Sequence, residues 1–430
     1  MTMIRGTKRL TALFAVAAMS GGVIGLMGVP PAGAATGVVQ ISALTTTAGC
    51  SRMSDGTVRC SGLNNNGQNG DGTQNQSLSP VTVAAVGGIG DLSNVTQVVT
   101  GPDNACARIS DGTAVCWGGN TYGQLGDGTK GNIRTTPVQV KDTDGIGPLT
   151  GIVSVTTGYY HTCALLSDRT VDCWGDNGYY QLGTGGNAQS SLPVKVKNGA
   201  GTAALPTVIG VSAGQYDTCA VVADHTARCW GTNNFGNLGT ANNLPKPLPA
   251  PVRNGKNTAN LASVSQISAG PEATCAVLAS KTIKNEVRCW GSNQFGQLGN
   301  NGSASTNKPV AVKAVTGTGN LQNIVQVSTN GGANGDHTCA RTKGNTAVCW
   351  GSNNFGQLGI GNKTLKRRPV VVKNGTGSAT LGGVSQILSG IISTCAVVSG
   401  QQARCWGYNS SGQFGNGGAH DSTRPVAANP

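Results

Sequence analysis

Charge, aromatic rings and histidine are all scarce in this chain: 11% of its residues are charged, 4% are aromatic, and four are histidine. Each scarcity removes a class of function. His161, His225, His337 and His420 share no close spacing, so the sequence shows neither a zinc-ligand pattern nor a nucleophile, base and acid in register. The acids do not alternate as a calcium loop requires. The glycine-rich connections lack the lysine and following helix of a phosphate-binding loop. Consequently we expect no catalytic residue, no metal and no cofactor, although a site at a ring axis would leave little mark on a sequence. Long apolar runs are missing too: after Val29 nothing approaches the roughly 18 residues of a membrane span. No stretch keeps a 3.6-residue apolar period, which excludes a helical fold.

The first residues are a segment apart. Arg5, Lys8 and Arg9 precede a small and apolar stretch from Leu10 to Val29, and Ala32-Gly33-Ala34 follows. This is the pattern of a secretory signal peptide, and we assign residues 1–34 to it. Residues 35–430 are then one domain. All 14 cysteines fall after that boundary, an even number suited to an oxidising destination. The formal charge of +13 includes the three basic residues of the leader and no acid.

The cysteines expose a repeat. They pair locally as Cys50/Cys60, Cys106/Cys116, Cys163/Cys173, Cys219/Cys229, Cys275/Cys289, Cys339/Cys349 and Cys395/Cys405, the leading members recurring 56, 57, 56, 56, 64 and 56 residues apart. The common frame runs V-x-x-V-x-x-G-x-x-x-T-C-A-x-x-x-D-G-T-x-x-C-W-G-x-N-x-x-G-Q-L-G-x-G-T, with P-V-x-V after a variable stretch. Each unit reads as four short strands. In the fourth unit these are Val208–Val211, Thr218–Val222, Ala227–Gly231 and a segment from about Pro251. One such sheet cannot bury both faces, whereas seven around an axis can. The expected fold is an all-β, seven-bladed β-propeller with four strands per blade.

The cysteine spacing tests that picture. Between Cys106 and Cys116 the loop Ser110-Asp111-Gly112, with Gly112 left-handed, pairs Ile109 with Thr113 and sets the two cysteines opposite each other. Facing residues of a non-hydrogen-bonded antiparallel pair lie about 4.5 Å apart at Cα, within reach of a disulfide. The fifth pair is separated by 14 residues instead of 10, an even increment that keeps the register. Seven disulfides inside hairpins are therefore expected. Trp117, Trp174, Trp230, Trp290, Trp350 and Trp406 follow the second cysteine and should pack on the neighbouring sheet, Ser61 replacing them in the first unit. Leu125, Leu182, Leu238, Leu298 and Leu358 should plug inward, with Phe414 and Asn69 in that place at the two ends. STRPVAANP leaves a short final strand, so Val38 onward either helps to seal the ring or the last blade ends ragged.

The stretch from Asp111 to Thr129, and its copies ending at Gly185, Gly239, Gly299, Gly359 and Gly415, resembles the repeats of the regulator of chromosome condensation superfamily. Members are seven-bladed propellers, so the resemblance implies the same fold over nearly the whole chain. Its nuclear member promotes nucleotide exchange on a small GTPase and binds chromatin. A secreted bacterial inhibitor of β-lactamases, similar in architecture, binds through one propeller face.

Two groups of residues differ from unit to unit and are candidates for binding. Tyr159, Tyr160, His161, Tyr179 and Tyr180 cluster in the third unit, and Tyr216 and Phe235 follow in the fourth. Aromatic side chains on adjacent loops can anchor a protein or glycan. Lys366, Arg367 and Arg368 form the compact basic run of the domain, in a loop suited to an anionic envelope polymer. The residue two before the leading cysteine also varies, as Asn104, His161, Asp217, Ala273, His337 and Ser393. Given the leader, the expected function is a secreted, monomeric scaffold binding an extracellular protein or the cell surface. Alternatives are a structural envelope component, an inhibitor of an extracellular enzyme, an exchange factor as the resemblance implies, or an enzyme with an axial pocket. Nucleic acid is a poor fit to an exported chain with few aromatic residues.

Overall fold

Each repeat folds as an antiparallel meander, because β-branched segments are joined in turn by a glycine turn, an Asp-Gly-Thr-type hairpin and a long glycine-rich connection. A computed structural model describes residues 36–42, 45, 47–280, 282, 284–330 and 335–429. The leader assigned to residues 1–34 lies outside the described residues. Seven four-stranded sheets result, each from consecutive sequence, and they form the blades of the expected propeller. Blade 4 comprises Val208–Ala213, Asp217–Val222, Ala227–Gly231 and Lys246–Pro251. Its fourth strand thus ends at Pro251, where we had expected it to begin. Every outer strand carries a proline at its fourth position, from Pro80 to Pro425. An edge strand tolerates proline because that N–H has no ladder partner to lose, and the missing donor discourages further strand addition.

The cysteines form seven disulfides, each within one blade. Cys50–Cys60, Cys106–Cys116 and Cys163–Cys173 brace blades 1 to 3, with Cα atoms 4.1, 4.1 and 4.0 Å apart. Cys219–Cys229, Cys275–Cys289, Cys339–Cys349 and Cys395–Cys405 brace blades 4 to 7, each with a Cα separation of 4.1 Å. The two cysteines face each other in every hairpin, the longer fifth one included.

The core lies between blades rather than within them. One apolar cluster, for example, joins Leu165, Leu182 and Val196 of blade 3 to Val208, Val211 and Trp230 of blade 4. Each tryptophan is fully buried and donates Nε1–H to a carbonyl of the preceding blade's long connection, as Trp230 does to Gln181 at 2.8 Å. The five plug leucines and Phe414 are fully buried, as is Asn69. The asparagine of C-W-G-x-N accepts from the plug residue's amide and donates to carbonyls further along, as Asn177 does with Leu182, Gly186 and Ala188. This side chain holds the long connection in one conformation.

Ring closure uses the bonds of the other seams. At every seam the start of the inner strand, or in blade 7 the residue two before it, donates a backbone N–H to the left-handed residue of the previous blade's hairpin, from Val95 to Gly56 through Val384 to Asn345. The seventh is Val38 to Gln401, at 2.8 Å. Val38–Ile41 is the inner strand of blade 1, and Ser422–Ala428 is a full seven-residue outer strand of blade 7. Val38–Ile41 thus helps to seal the ring, bonded to and packed against blade 7 while pairing within blade 1, and the last blade is complete rather than ragged. Ser61, standing in the tryptophan place, donates Oγ–H to the Gln413 carbonyl at 3.3 Å.

A second ring of contacts lies at the axis. Gln97 clamps the next blade's backbone twice, donating to Val155 O and accepting from Val155 N, both at 2.9 Å. Gln40, Gln266 and Gln386 make the same double contact with Val98, Val327 and Ile41, and Gln326 accepts from Ile387 N. Ser154 and Gly210 take the equivalent places in blades 3 and 4.

Candidate functional site: a tyrosine-rich rim

The meander sends the glycine turns and the long connections to one rim, and the hairpin turns to the other. On the first rim, Tyr160 and Tyr216 stand three residues before Cys163 and Cys219, at the ends of equivalent turns in blades 3 and 4. Tyr122 and Tyr179 occupy matching places in the long connections of blades 2 and 3. These four rings and Tyr159 form one stack. Ring centroids are 4.9 Å apart for Tyr122–Tyr160, 6.4 Å for Tyr160–Tyr216, 4.7 Å for Tyr179–Tyr216 and 6.0 Å for Tyr159–Tyr216. Such separations suit offset and edge-on aromatic packing. Tyr179 is half exposed, at 50%, whereas the other four are partly covered by one another.

Carboxylates flank the stack. The position of Tyr160 and Tyr216 is Asp103 in blade 2, Glu272 in blade 5 and Asp336 in blade 6, so two tyrosines sit between acids around the rim. Burial is the main cause that pushes the Tyr159 hydroxyl up to about 12, reinforced by Tyr216 and Asp336. Burial likewise raises Tyr160, with Asp103 next, and Tyr216. All three hydroxyls therefore remain protonated donors at neutral pH. Asp103 is raised by burial, against a hydrogen bond from Asn66 that lowers it. Of the acids near the stack, Asp176 is spent locally, accepting from Gly178 N and Gln181 Nε2.

The other candidate residues do not join this stack. His161 is buried, 1% exposed, and its Nε2 lies 2.9 Å from Thr218 Oγ1 of the next blade. Burial pulls its pKa down to about 3, so the ring is neutral. We correct its placement on a binding surface: it is a seam residue, as is His337, 2.8 Å from Thr394. Two-residue alternation could have shown this, because His161 and Cys163 share a strand face and the cysteines face the core. Asp217 takes the same place in blade 4, fully buried, and burial raises its carboxyl well above the usual range. Tyr180 stands where the other units have glycine, at φ 68°. A left-handed tyrosine costs roughly 1–2 kcal/mol. Phe235, 41% exposed, occupies in blade 4 the place of Tyr179. Lys366, Arg367 and Arg368 open the outer strand of blade 6, so this run is on the propeller wall and not in a loop.

The cysteines contribute bracing and no binding surface. The leading ones, Cys50, Cys106, Cys163, Cys219, Cys275, Cys339 and Cys395, are buried on the second strand of each blade. Their partners Cys60, Cys116, Cys173, Cys229, Cys289, Cys349 and Cys405 are buried on the third. With both sulfurs of every pair oxidised, none of the fourteen is a free thiol or a metal ligand. Sequence reasoning missed Tyr122, which hides in the repeat frame, and the acids at the tyrosine position.

The axis holds a cavity of about 170 Å³, lined by glutamine, asparagine, serine, threonine and aliphatic residues of the inner strands, with no titratable side chain among the described residues of its wall. Toward the tyrosine rim it narrows to a pit of about 50 Å³ bordered by Tyr159 and the glycine turns. Among the described residues no group of three or more His, Cys, Asp or Glu is placed to hold a metal ion.

Models of the regulator of chromosome condensation (RCC1) repeat match residues 111–165, 171–221, 229–277, 285–340 and 349–397, and a related model of the same repeat also covers 95–124. The chain belongs to this family. It is 29% identical to the ultraviolet-B receptor UVR8 of Arabidopsis thaliana over 372 residues, covering 86% of this chain and 77% of the receptor. It is 26% identical to human E3 ubiquitin-protein ligase HERC2 over 77% of its own length, but spans only 6% of that ligase. Prp20p of Saccharomyces cerevisiae, whose structure was described with its binding properties to Gsp1p and histones, superposes with a TM-score of 0.66 at 18% identity, covering 92% of this chain and 88% of that one. These relatives overturn the functional expectation built on the leader. The curated relatives, a light receptor and a ubiquitin ligase, are not extracellular or envelope binders. The secreted, cell-surface role and its glycan or envelope-polymer partners are therefore withdrawn.

Proposed function

We propose that this propeller is a protein-docking scaffold that receives its partner on the tyrosine rim of blades 2 to 4. The observation that carries the reading is the five-ring stack, in which Tyr122 and Tyr179 stand on connections that the Asn120 and Asn177 side chains fix, and Tyr159, Tyr160 and Tyr216 on the glycine turns beside them. Tyrosine is a favoured interface anchor because it offers a large, two-torsion ring with a polar tip, and a rigid platform loses little entropy on binding. A second reading, guanine-nucleotide exchange on a small GTPase, is supported by family membership and would begin with the same docking step.

A photoreactive phenylalanine analogue at Tyr179, and a control at Ile146, 87% exposed on the opposite rim, test the proposal. The expected result is one partner crosslinked at position 179 and lost from the Tyr160→Ala/Tyr216→Ala variant. Equal capture at position 146, or capture that survives the double substitution, refutes it. Accelerated release of labelled GDP from a captured GTPase would select the exchange reading.

A further inference from the structure

Charge on the tyrosine rim runs against that of the molecule. The chain has a formal net charge of +13, yet the loops of this rim hold seven carboxylates and two lysines, Lys130 and Lys363. The nearest other cations open outer strands, and one of them, Arg134, is already paired with Asp127 at 3.0 Å. On the opposite rim a cation recurs in the small bridge after the outer strand, as Lys141, Lys197, Arg253, Lys313 and Lys373. Strands of five or six residues separate the rims by about 17–20 Å. Screening at physiological ionic strength acts over about 8 Å, so a partner at the tyrosine rim meets the charge of that rim and not the net charge.

The arrangement around the stack is specific. Asp103 and Glu272 bracket Tyr160 and Tyr216 in successive blades. Electrostatic coupling links Asp103 to Tyr160, and Glu272 and Asp336 to Tyr159. Glu272 Oε2 has no hydrogen-bond partner within the described residues. A face of electron-rich rings with a carboxylate on either side matches a guanidinium or ammonium group, which stacks on the ring while donating to the acid. An anionic partner would meet repulsion on the same face.

We infer that the docked partner presents a basic segment, one of whose arginine or lysine side chains lies over Tyr160 and Tyr216 between Asp103 and Glu272. The inference rests on the docking reading above and adds the chemistry of the partner. Arginine is the better fit, since its planar group can stack and bridge at once.

The test uses the full chain and a fluorescent peptide with three arginines spaced by glycines, against the same peptide with citrulline, which keeps the shape and removes the charge. Anisotropy titrations should show the arginine peptide binding at least tenfold more tightly. Glu272→Gln, alone and with Asp103→Asn, should weaken it about tenfold and flatten its salt dependence. Tyr160→Leu/Tyr216→Leu should weaken it comparably while the salt dependence persists. Unchanged near-ultraviolet circular dichroism confirms the fold of each variant, and Glu272→Gln is the conservative case if the double variant misfolds. Equal affinity for the citrulline peptide, preference for an acidic peptide, or indifference to Glu272→Gln overturns the inference. If those results come with a partner still captured at Tyr179 in a tyrosine-dependent way, the docking reading survives and only the basic segment is lost.

Discussion

Gln97→Met tests the axial ring with little change of volume. The parent side chain makes two buried hydrogen bonds to Val155, each at 2.9 Å, across the seam between blades 2 and 3. A hydrogen bond of this kind contributes about 0.5–1.5 kcal/mol net, so losing both should cost about 1–3 kcal/mol. The axial cavity borders both residues, and a water that reaches Val155 would keep the loss at the lower end. The assay is urea unfolding with disulfides intact, read as a shift in midpoint at constant slope, together with exchange of the Val155 amide, which should lose protection. The next seam offers the reverse experiment. Ser154 holds the glutamine place there, so Ser154→Gln should add a clamp on Val211 and gain about 1 kcal/mol. If Gln97→Met unfolds at the parent midpoint with Val155 still protected, the ring is not what ties the blades together at the axis.

Other expectations follow from single contacts. Trp230→Ala should cost about 3–5 kcal/mol by emptying the seam between blades 3 and 4. Trp230→Phe should cost about 1 kcal/mol for its bond, because the Gln181 carbonyl still accepts from Thr218. Replacing Cys163 and Cys173 together by alanine should remove about 2–3 kcal/mol, measurable against the parent by the same urea titration. His161 and His337 are held neutral, with pKa values lowered to about 3 and about 4. Unfolded imidazoles take up protons below about pH 6.5 while the folded ones do not, so stability should fall as pH drops through that window toward 4. His161→Gln should flatten this dependence between pH 6.5 and 4. Asp217 has the opposite consequence: its raised carboxyl is a cost that is present above about pH 4 and disappears below it, so Asp217→Asn should stabilise at pH 7 and have little effect at pH 3.

What the sequence made legible is what it repeats. Cysteines 10 or 14 apart could only face each other in a hairpin, and a tryptophan after each second cysteine from Cys116 to Cys405 implied an equivalent neighbour to pack against. Proline marked the outer strands, although placing the fourth strand of blade 4 at its end needed the register with Ala227–Gly231. The glutamine ring escaped notice because Ser154 and Gly210 interrupt it, and because a polar residue inside a strand reads as solvent-facing when the axis is unknown. The tyrosines stood out as departures from the frame. Their convergence did not, since Tyr122 and Tyr179 come from long connections whose course is set by asparagine bonds rather than by local pattern. Placing Lys366, Arg367 and Arg368 on the wall of blade 6, away from the tyrosines, likewise required the fold.

The most direct test of the account is hydroxyl-radical footprinting of the intact protein with and without the partner captured at position 179. Protection is expected at residues 158–160, 176–180 and 214–216, with the outer strand from Lys366 and the loop around Ile146 unchanged. Protection centred on either of those two regions, with the tyrosines still reactive, would contradict it.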